Sequence, residues 1–447
     1  MDEFDVIVIG GGPAGENAAQ YAVQGTDRTA AIVEAELLGG ECSYWACMPS
    51  KALLRPLDVR RTARHLEGVT DPDVDVAGLL ARRDVWVSRY SDSGQVSWAE
   101  GAGLTVVRGR GRLAGKREVE VVSGAETRLL RAREAVVIAT GSVAVVPDEL
   151  AAVAPWTSRD ATGVKEVPPS LAIVGGGVVA SEAAQWMADL GCRVTVLVRG
   201  DRLLGRTEPF AGELVAEGLR SAGVDVRLGV SVTSASRDQA AGAPELGRPH
   251  GGPVTLTLSD GSTLEVAEVL AATGRRPATD ELGLDEVGDP LPDWLHTVGD
   301  ASGEAPLTHW GKYQARQAGA LIQARARGES PPSPPETVPV PQVVFTDPQV
   351  AAVGLRADEA GPGATVLDAD LSGVAGASLL RDDLSGQVRL VVEDGLLVGA
   401  TFVGPEVAEL VHAATVAIVG RVPVEVLRHA VPSYPTASEI WLRLLEQ

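Results

Sequence analysis

The chain has 447 residues, 45% of them hydrophobic, which is enough to fill about two or three domains that each have a core. Acidic residues outnumber basic residues by 60 to 39, and the net charge of −21 argues against nucleic acid and anionic membrane surfaces as partners. No apolar run reaches membrane-spanning length and no leader precedes the first predicted strand, so we expect a cytoplasmic protein.

The N-terminal segment has the pattern of a dinucleotide-binding unit. An apolar run at 4–9 predicts a strand, Gly10-Gly11-Gly12-Pro13-Ala14-Gly15 follows it as G-x-G-x-x-G, and a helix is predicted over 16–24. The glycines allow a tight turn and a close approach of a pyrophosphate to the helix N-terminus. Glu34 closes the next predicted strand, 30–33, where it can accept hydrogen bonds from a ribose diol.

Two thiols, Cys42 and Cys47, lie in the stretch 39–51, GGECSYWACMPSK, where a loop is predicted to enter a helix. The positive end of a helix dipole lowers the pKa of a thiol and favours the thiolate that performs redox chemistry. The alternative is a pair of buried small hydrophobic residues. The flanking glycines, Pro49 and Lys51 favour a reactive dithiol, and with three cysteines in the chain a disulfide between these two is expected to be catalytic rather than structural.

Two predicted helices follow the cysteines, over 52–64 and 76–100, because apolar residues recur there at intervals of three and four. A predicted strand at 134–139 then ends in Ala139-Thr140-Gly141-Ser142, a strand leading into a glycine turn.

A second dinucleotide-binding unit is predicted to begin at 171. A strand over 171–174 leads into Gly175-Gly176-Gly177-Val178-Val179-Ala180, followed by a helix to 190 and a strand over 193–198. Arg199, followed by Arg202 and Arg206, stands where an acidic residue would bind an unphosphorylated ribose. Arginines would bind a 2′-phosphate, so the sequence predicts NADPH, the alternative being that they form a solvated face. Cys192 is interpreted as a buried core residue and not as a third redox thiol.

The chain is predicted to leave the second unit after a strand at 269–272 and to return to the first through 295–300. A helix is expected to begin near Thr308, where its N-terminal amides could stabilise negative charge on a bound group; alternatively His309 only caps or packs this helix. The proline-rich segment 330–335 predicts a stiff linker and a domain boundary.

These segments resemble those of the flavin-dependent pyridine nucleotide-disulfide oxidoreductases, the group that contains glutathione reductase, dihydrolipoyl dehydrogenase and mercuric reductase. The redox motif at 39–51 carries the resemblance, and further similarities are the turn at 139–142, the pair Gly299-Asp300 and the segment 341–355, so that 5–439 are covered. The resemblance implies an α/β fold with two Rossmann-like dinucleotide-binding domains, for FAD and NAD(P), and a C-terminal α+β dimerisation domain. The implied domains are 1–155 with 275–330 for FAD, 156–274 for NAD(P)H, and 336–447 for the homodimer interface.

The resemblance also assigns roles to residues. Cys47 would lie next to the flavin ring, Cys42 would be the outer thiol that meets the substrate, and Lys51 would lie near the flavin N5 with Glu182 as its ion-pair partner. Catalytic positions are assigned to Cys42, Cys47, Lys51, Glu182, Tyr434 and Glu439. Contacts to FAD are assigned to Gly10, Gly12, Pro13, Ala14, Gly15, Glu34, Gly40, Lys51, Thr140, Gly141, Asp300, Thr308 and His309. Contacts to NADPH are assigned to Gly175, Gly177, Ala180, Glu182, Arg199, Arg202, Arg206 and Gly274.

The sequence departs from the family at the residue that serves the outer thiol. The disulfide reductases have a His-Pro-Thr-x-x-Glu segment whose histidine comes from the partner subunit, whereas this chain has Tyr434-Pro435-Thr436-Ala437-Ser438-Glu439. A phenol with a pKa of ~10 is a poor base at neutral pH compared with an imidazole at ~6.5, so we expect thiol–disulfide exchange to be impaired. His429 could replace the base, although Pro432 disfavours a helical approach.

Other departures concern the acceptor. Mercuric reductase also has a tyrosine in this part of its site, but the cysteine pair that follows it there is not found after Tyr434. Glu41, Tyr44 and Trp45 replace smaller residues of the redox motif, which predicts a pocket of altered shape.

We therefore predict a homodimeric FAD enzyme that oxidises NADPH and reduces a small acceptor, of unknown identity, through Cys42 and Cys47, with no metal site of its own. One alternative is a quinone or metal-ion reductase, which needs no base for the thiol. Another is a non-enzymatic flavoprotein that senses redox poise.

Overall fold

The computed structural model describes residues 2–239, 244–288, 290–331, 333–336 and 338–447, and the chain divides into two compact units. The first unit contains Met1–Pro49, Arg82–Val145 and Arg275–Ser333; the second contains Ser50–Ala81, Val146–Gly274 and Pro334–Gln447. The segment predicted as a stiff linker includes Pro332, which lies outside the described residues. The linker and the three predicted domain boundaries stay predictions.

The elements are numbered in chain order. Up to residue 145 they are β1 (Asp2–Ile9), α1 (Pro13–Val23), β2 (Ala30–Glu34), α2 (Gly40–Tyr44), α3 (Cys47–Arg64), α4 (Val76–Trp86), α5 (Ser93–Gly101), β3 (Leu104–Arg108), β4 (Arg110–Gly115), β5 (Glu118–Ser123), β6 (Glu126–Ile138) and β7 (Ser142–Ala144). Between residues 146 and 274 they are α6 (Asp148–Ala151), α7 (Ser158–Thr162), β8 (Ser170–Val174), α8 (Val178–Asp189), β9 (Arg193–Val198), α9 (Pro209–Ser221), β10 (Asp225–Leu228), β11 (Val232–Arg237), β12 (Val254–Leu258), β13 (Thr263–Val266) and β14 (Glu268–Ala271). From residue 275 onward they are β15 (Arg275–Pro277), β16 (Leu295–Thr297), α10 (Thr308–Arg327), β17 (Gln342–Val344), β18 (Gln349–Gly354), β19 (Thr365–Asp370), α11 (Ala375–Ser378), β20 (Gln387–Glu393), β21 (Leu396–Gly404), α12 (Val411–Val419), α13 (Val424–Leu427) and α14 (Ile440–Leu445).

The first unit is built on a sheet with the strand order β3-β2-β1-β6-β5-β4, in which β16 also pairs with β6. Strands β3, β2, β1, β6 and β16 are parallel to their neighbours in this group, and β4 and β5 continue the sheet antiparallel. Successive side chains of β1 enter different cores, Val6 and Val8 on one face and Ile7 and Ile9 on the other. Burial on both faces explains why this strand reads as a continuous apolar run.

Small residues let α1 and α10 pack closely beside this sheet. A Cβ atom added at Gly15 would lie 1.9 Å from the backbone oxygen of Gly10, so only glycine allows α1 to begin this close to the end of β1. A Cβ added at Gly311 of α10 would lie 3.2 Å from the Cβ of Ala14. The first turns of the two helices are therefore immediate neighbours.

The second unit contains a parallel sheet of order β10-β9-β8-β14 and an antiparallel sheet of order β11-β12-β13. Its C-terminal part is an antiparallel sheet of order β17-β18-β21-β20-β19, on which α12 and α14 pack through a core that includes Phe402, Ala414 and Leu444. The predicted α/β class, with two parallel sheets of Rossmann type and a C-terminal α+β part, is confirmed.

The helix predicted over 76–100 is wrong as a single element. The structure has α4 and α5, separated by a tight turn in which Ser88, Arg89 and Tyr90 have φ angles of 51°, 49° and 59°. Such a left-handed turn is costly for residues with a Cβ atom. It places the Tyr90 ring on Trp45, with the ring centroids 6.3 Å apart, and this contact between distant residues is invisible to helical periodicity.

Among the described helices, none has the length and apolar character needed to cross a lipid bilayer.

Candidate active site

The predicted dithiol is assembled at the junction of α2 and α3. Cys42 lies in α2, Cys47 is the first residue of α3, and both are partly buried free thiols. The two thiols are hydrogen-bonded to each other. The Cys47 Sγ also lies 3.3 Å from the Oγ1 of Thr308, the first residue of α10, so this helix meets the thiols at its N-terminus. His309, the next residue of α10, is exposed.

The thiol of Cys42 has a raised pKa, because of its hydrogen bond to Cys47 and its burial; Thr308 and the charge of Lys312 oppose the shift. The sequence predicts a lowered pKa from the helix dipole, and for Cys42 this prediction is wrong. The hydrogen bond to Cys47 and burial outweigh the dipole of a short helix.

The two aromatic residues between the cysteines are packed into the interior of the first unit. Tyr44 is buried, and its hydroxyl donates a hydrogen bond of 3.0 Å to the backbone oxygen of Leu38. Trp45 is 8% exposed and contacts both the edge of Tyr44 and the face of Tyr90. These bulky residues fix the segment between the cysteines by packing, and the altered pocket shape stays a prediction.

The G-x-G-x-x-G turn and the redox motif approach each other at backbone level. A Cβ atom at Gly40, whose φ is +58°, would lie 2.7 Å from the Cα of Gly12. Pro13 and Ala14 follow as the first residues of α1. Glu34 accepts hydrogen bonds from the backbone N–H groups of Gly11, at 2.6 Å, and Glu36, at 2.7 Å. Burial raises the pKa of Glu34 despite these bonds.

Asp300 is held in a short network on the same unit. The Ser142 hydroxyl donates to Asp300 over 2.5 Å, and Arg275 donates to both the hydroxyl and the backbone oxygen of Ser142, at 2.8 and 2.7 Å. Arg275 also lies 3.9 Å from the carboxylate of Glu41. This network was not predicted, and the only local signal for it is the charged pair of a Glu inside the redox motif and an Arg just after Gly274.

Gly141 and Thr140 are fixed by the segment after β15. Thr140 donates its hydroxyl to the backbone oxygen of Ala278 at 2.7 Å, and the N–H of Ala278 donates to the oxygen of Gly141 at 2.9 Å. The turn after β6 is therefore pinned in place at the end of the strand that neighbours β1.

The second glycine motif lies between β8 and α8. A Cβ atom at Gly175, which has a φ of +137°, would lie 2.2 Å from the backbone oxygen of Ala272, whereas the space around Gly177 and Gly274 is open. Ala180 is buried in α8. Open backbone at Gly177, the N-cap of α8, is the arrangement that admits a phosphate group.

The three predicted phosphate-binding arginines follow β9. Arg199 and Arg206 are exposed, and Arg202 is partly buried. The Nε of Arg202 is buried and makes no hydrogen bond to the described residues. Cys192, as predicted for a core residue, is 5% exposed.

Lys51 and Glu182 form the predicted ion pair. The Nζ of Lys51, one turn along α3 from Cys47, lies 2.7 and 3.1 Å from the two carboxylate oxygens of Glu182. The Glu182 side chain is 4% exposed and also accepts a hydrogen bond of 3.0 Å from the backbone N–H of Phe345, over whose ring Lys51 lies. A buried carboxylate with two partners holds the ammonium in one place.

Tyr434 and Glu439 differ in their surroundings. Tyr434 is 77% exposed, and His429 is exposed as well. The Oε2 of Glu439 is buried and makes no hydrogen bond to the described residues.

Residues 4–303 match the pyridine nucleotide-disulphide oxidoreductase family, and residues 340–444 match the dimerisation domain of that family. The chain belongs to the pyridine nucleotide-disulphide oxidoreductases. The predicted family is thereby confirmed. The prediction of a homodimeric flavoprotein enzyme is confirmed with it.

Several relatives of this oxidoreductase are similar over nearly the whole of this chain. The dihydrolipoyl dehydrogenase of Halobacterium salinarum is 31% identical, over 99% of this chain and 95% of that protein. The mercuric reductase of Shigella flexneri is 31% identical, over 97% of this chain and 79% of that protein. Among solved structures, the HOCl-induced flavoprotein disulfide reductase RclA of Escherichia coli has the same fold, with a TM-score of 0.82, 22% identity and 99% of each chain covered.

Members of this family use FAD and a pyridine nucleotide, and the residues present fit both groups. The near-contact of Gly12 and Gly40 leaves only backbone at the start of α1, where a pyrophosphate can bind. The open backbone at Gly177 and the orphaned Nε of Arg202 are suited to the nucleotide phosphates in the second unit.

Glu16 and Lys312 are residues of interest that the sequence analysis missed. Glu16 follows the G-x-G-x-x-G motif directly and has a partly buried carboxylate, and Lys312 is the charge that acts on Cys42. An acidic residue in the first turn of a phosphate-binding helix was a visible signal for Glu16.

Proposed function

We propose that this enzyme oxidises NADPH, reduces a Cys42–Cys47 disulfide and delivers the two electrons to a small acceptor in the cytoplasm. FAD, when bound, would carry two electrons from the nicotinamide to the disulfide. One observation carries the proposal: Cys42 and Cys47 are hydrogen-bonded to each other, and Cys47 contacts Thr308 at the start of α10. In an enzyme of this family, such a dithiol is suited to two-electron transfer.

The thiols have different tasks in this proposal. The Thr308 hydroxyl lies 3.3 Å from the Cys47 Sγ, and we propose that it donates a hydrogen bond to the inner sulfur when that sulfur is a thiolate. Cys42 retains its proton because its pKa is raised, so it meets the acceptor as a thiol. With a disulfide acceptor, both thiol protons pass to the products: one Cys42–Cys47 disulfide forms as two substrate thiols are released.

We propose that Lys51 stabilises negative charge on the reduced cofactor and that Glu182 positions it. The support is the pair of contacts at 2.7 and 3.1 Å and the Phe345 N–H that fixes Glu182. The cofactor-binding residues assigned by the family resemblance complete the proposal, and the Arg275–Ser142–Asp300 network supports a fixed carboxylate at Asp300.

The homodimer interface is proposed to include the exposed apolar residues of the C-terminal part. Val416, Val426, Val431 and Tyr434 are each at least half exposed, which is unusual for such large side chains on one part of a chain. In the family arrangement, the segment around Tyr434 would serve the dithiol of the other subunit.

The class of acceptor that this enzyme can reduce depends on whether a base serves the outer thiol, and the family's histidine is replaced here by Tyr434. Dihydrolipoyl dehydrogenase and mercuric reductase are about equally similar to this chain, so the comparisons support a disulfide and a metal ion alike. A tyrosine stands where the disulfide reductases of the family have the histidine that serves the outer thiol. This favours a quinone or metal ion, which the reduced site can serve without a positioned imidazole, as a second candidate.

An acceptor screen tests the function. We expect steady-state oxidation of NADPH with at least one class among disulfides, quinones, Hg²⁺ and Cu²⁺. Oxidation that stops after one NADPH per flavin with every acceptor would contradict the proposal.

The inner thiol has a spectroscopic signature. After anaerobic reduction with two electrons per flavin, we expect a long-wavelength charge-transfer absorbance that the Cys47→Ser variant lacks, because Cys47 is the thiol stabilised by Thr308. Cys192→Ser, which alters a buried thiol remote from this chemistry, is the matched control and should keep the absorbance. Unchanged absorbance in Cys47→Ser would show that the inner thiol is wrongly assigned.

NADPH is expected to be preferred over NADH because Arg199 and its neighbours replace the acid that would bind an unphosphorylated ribose. A charge-assisted phosphate contact contributes roughly 1.5–3 kcal/mol, or about ten- to a hundredfold in kcat/KM. Arg199→Ala should remove most of the preference, measured as the ratio of kcat/KM for NADPH to kcat/KM for NADH. Arg227→Ala removes a surface charge paired with Asp225 and should leave this ratio unchanged. Equal kcat/KM values for the two nucleotides in the wild type rule the preference out.

A further inference from the structure

The turn between α4 and α5 has a conformation that its own residues disfavour. Ser88, Arg89 and Tyr90 follow one another with φ angles of 51°, 49° and 59°, all in the left-handed region. Residues with a Cβ atom stay in this region where surrounding contacts hold them, and such residues cluster at functional sites. Ser88 and Arg89 are exposed, whereas Tyr90 is partly buried, so the contacts of Tyr90 are the ones that can hold the turn.

Tyr90 contacts a residue that lies between the two cysteines. Its ring stacks on Trp45, with 6.3 Å between the ring centroids and 30° between the ring planes. Trp45 is 8% exposed and is the C-cap of α2, the helix that contains Cys42. Its backbone N–H donates to the oxygen of Glu41 over 2.8 Å, and Cys47 follows two positions later. One short stretch of backbone therefore joins the Tyr90 contact to both cysteines.

The segment after the turn makes two further contacts with the redox motif and the residue before it. The hydroxyl of Tyr44, a residue that is 1% exposed, lies 3.1 Å from the Oε1 of Gln95. The backbone N–H of Leu38 donates to the Asp92 carboxylate over 2.8 Å. Tyr90, Asp92 and Gln95 together form what we call the brace. The brace holds the chain at positions 38, 44 and 45.

Restraint of the segment between two thiols affects how readily they form a disulfide. In the disulfide state the covalent bond restrains residues 42–47, whereas in the dithiol state only noncovalent contacts do so. Cys42 and Cys47 are free thiols that are hydrogen-bonded to each other, so the segment already holds the sulfurs side by side. A restrained segment loses less conformational entropy on closure, which raises the effective concentration of one thiol at the other.

We propose that Tyr90 is a positioning residue for the redox pair, and that the brace holds the segment between Cys42 and Cys47 in the arrangement from which the disulfide closes. The proposal deepens the function proposed above and rests on it, because it concerns the same dithiol. The step that the brace favours is balanced: with a disulfide acceptor, the Cys42–Cys47 disulfide forms as the acceptor takes up two electrons and two protons and becomes two thiols. The left-handed turn is the conformation that places the Tyr90 ring on Trp45.

The test is the equilibrium between dithiol and disulfide in the holoenzyme. The enzyme is equilibrated without oxygen or NADPH in mixtures of reduced and oxidised dithiothreitol. Thiols are then trapped with N-ethylmaleimide, and mass spectrometry gives the fraction of chains in which Cys42 and Cys47 are alkylated. We expect the equilibrium constant for disulfide formation to fall about two- to tenfold in Tyr90→Leu, the effect of losing one aromatic pair.

Tyr90→Phe is the matched control. The Tyr90 hydroxyl is buried and makes no hydrogen bond to the described residues, so this variant keeps the ring contact and should leave the equilibrium constant unchanged. A merely structural role for Tyr90 predicts that Tyr90→Leu lowers the urea midpoint of unfolding without changing the equilibrium constant. That result in a folded Tyr90→Leu variant overturns the proposal.

A second variant keeps the test decisive if Tyr90→Leu does not fold. Gln95→Ala removes the contact with the Tyr44 hydroxyl and leaves both aromatic rings in place, so it should also lower the equilibrium constant for disulfide formation. An unchanged constant in Gln95→Ala would then contradict the role of the brace.

The same preparation separates this inference from the proposed function. NADPH should reduce the wild-type disulfide and expose both thiols to N-ethylmaleimide. If NADPH exposes no thiols while Tyr90→Leu shifts the dithiothreitol equilibrium, the proposed electron path fails and the role of the brace stands. If NADPH exposes both thiols and the equilibrium is the same in Tyr90→Leu, the role of the brace fails and the electron path stands.

Discussion

Replacing Tyr434 with histidine is expected to raise the turnover of small disulfides by about 10²–10⁴-fold, the range that a positioned base contributes. An imidazole is in general a far better proton acceptor at neutral pH than a phenol. Glu439 can orient the new ring, because its Oε2 is buried and has no hydrogen-bond partner among the described residues. The measurement is kcat/KM for glutathione disulfide and lipoamide at pH 7, with the rate of flavin reduction by NADPH recorded separately.

The gain should come from the imidazole introduced at position 434 and should not depend on His429. His429→Ala serves as the control, since His429 is the other exposed imidazole of this segment. Rapid turnover of a common disulfide by the wild type, undiminished in His429→Ala, would show that the absent histidine is irrelevant.

Replacing Glu268 with leucine is expected to lower the free energy of unfolding of the second unit by about 3–5 kcal/mol, the cost of leaving one member of a buried ion pair without its partner. Arg237 and Glu268 form an ion pair in which both side chains are fully buried. Glu268 also accepts hydrogen bonds from the N–H groups of His250, at 2.7 Å, and Val269, at 2.9 Å. The midpoint of urea unfolding, followed by tryptophan fluorescence, measures the loss.

Two controls define the cause of that loss. Arg248→Ala removes a surface ion pair with Glu166 and should change the midpoint little, since exposed pairs contribute about 0–1 kcal/mol. The double variant Arg237→Met/Glu268→Leu should regain much of the stability, because an apolar pair needs no partner charge. A Glu268→Leu midpoint equal to that of Arg248→Ala would show that the buried pair contributes no stability.

Elements whose conformation depends on neighbouring residues in the chain could be predicted from the sequence. The apolar run of β1, the glycine turn and the helix after it lie within one residue or a few of their predicted bounds, because strand burial and the Gly10 turn depend on neighbours in the chain. The break between α4 and α5 was missed because Tyr90 is held by Trp45, 45 positions away.

In the candidate site, too, features set by neighbouring residues were predicted and features set by distant contacts were not. The cysteine motif locates the dithiol, but the direction of the Cys42 pKa depends on a proton shared with Cys47, which no spacing reveals. Lys51 and Glu182 are 131 residues apart, so only the family resemblance could pair them. Glu16 escaped notice because its raised pKa comes from burial in the fold and not from any motif.

The contact between Glu182 and the backbone of Phe345 also constrains the order of events during synthesis. The thiols and Lys51 leave the ribosome early, and the carboxylate that holds Lys51 follows with α8. The N–H group that fixes this carboxylate is made only with residue 345, in the last part of the chain. Because N-terminal segments begin to fold first, a nascent or truncated chain would carry its thiols without a fixed lysine. The contact that fixes the partner of Lys51 can therefore form only in chains that have been synthesised as far as residue 345.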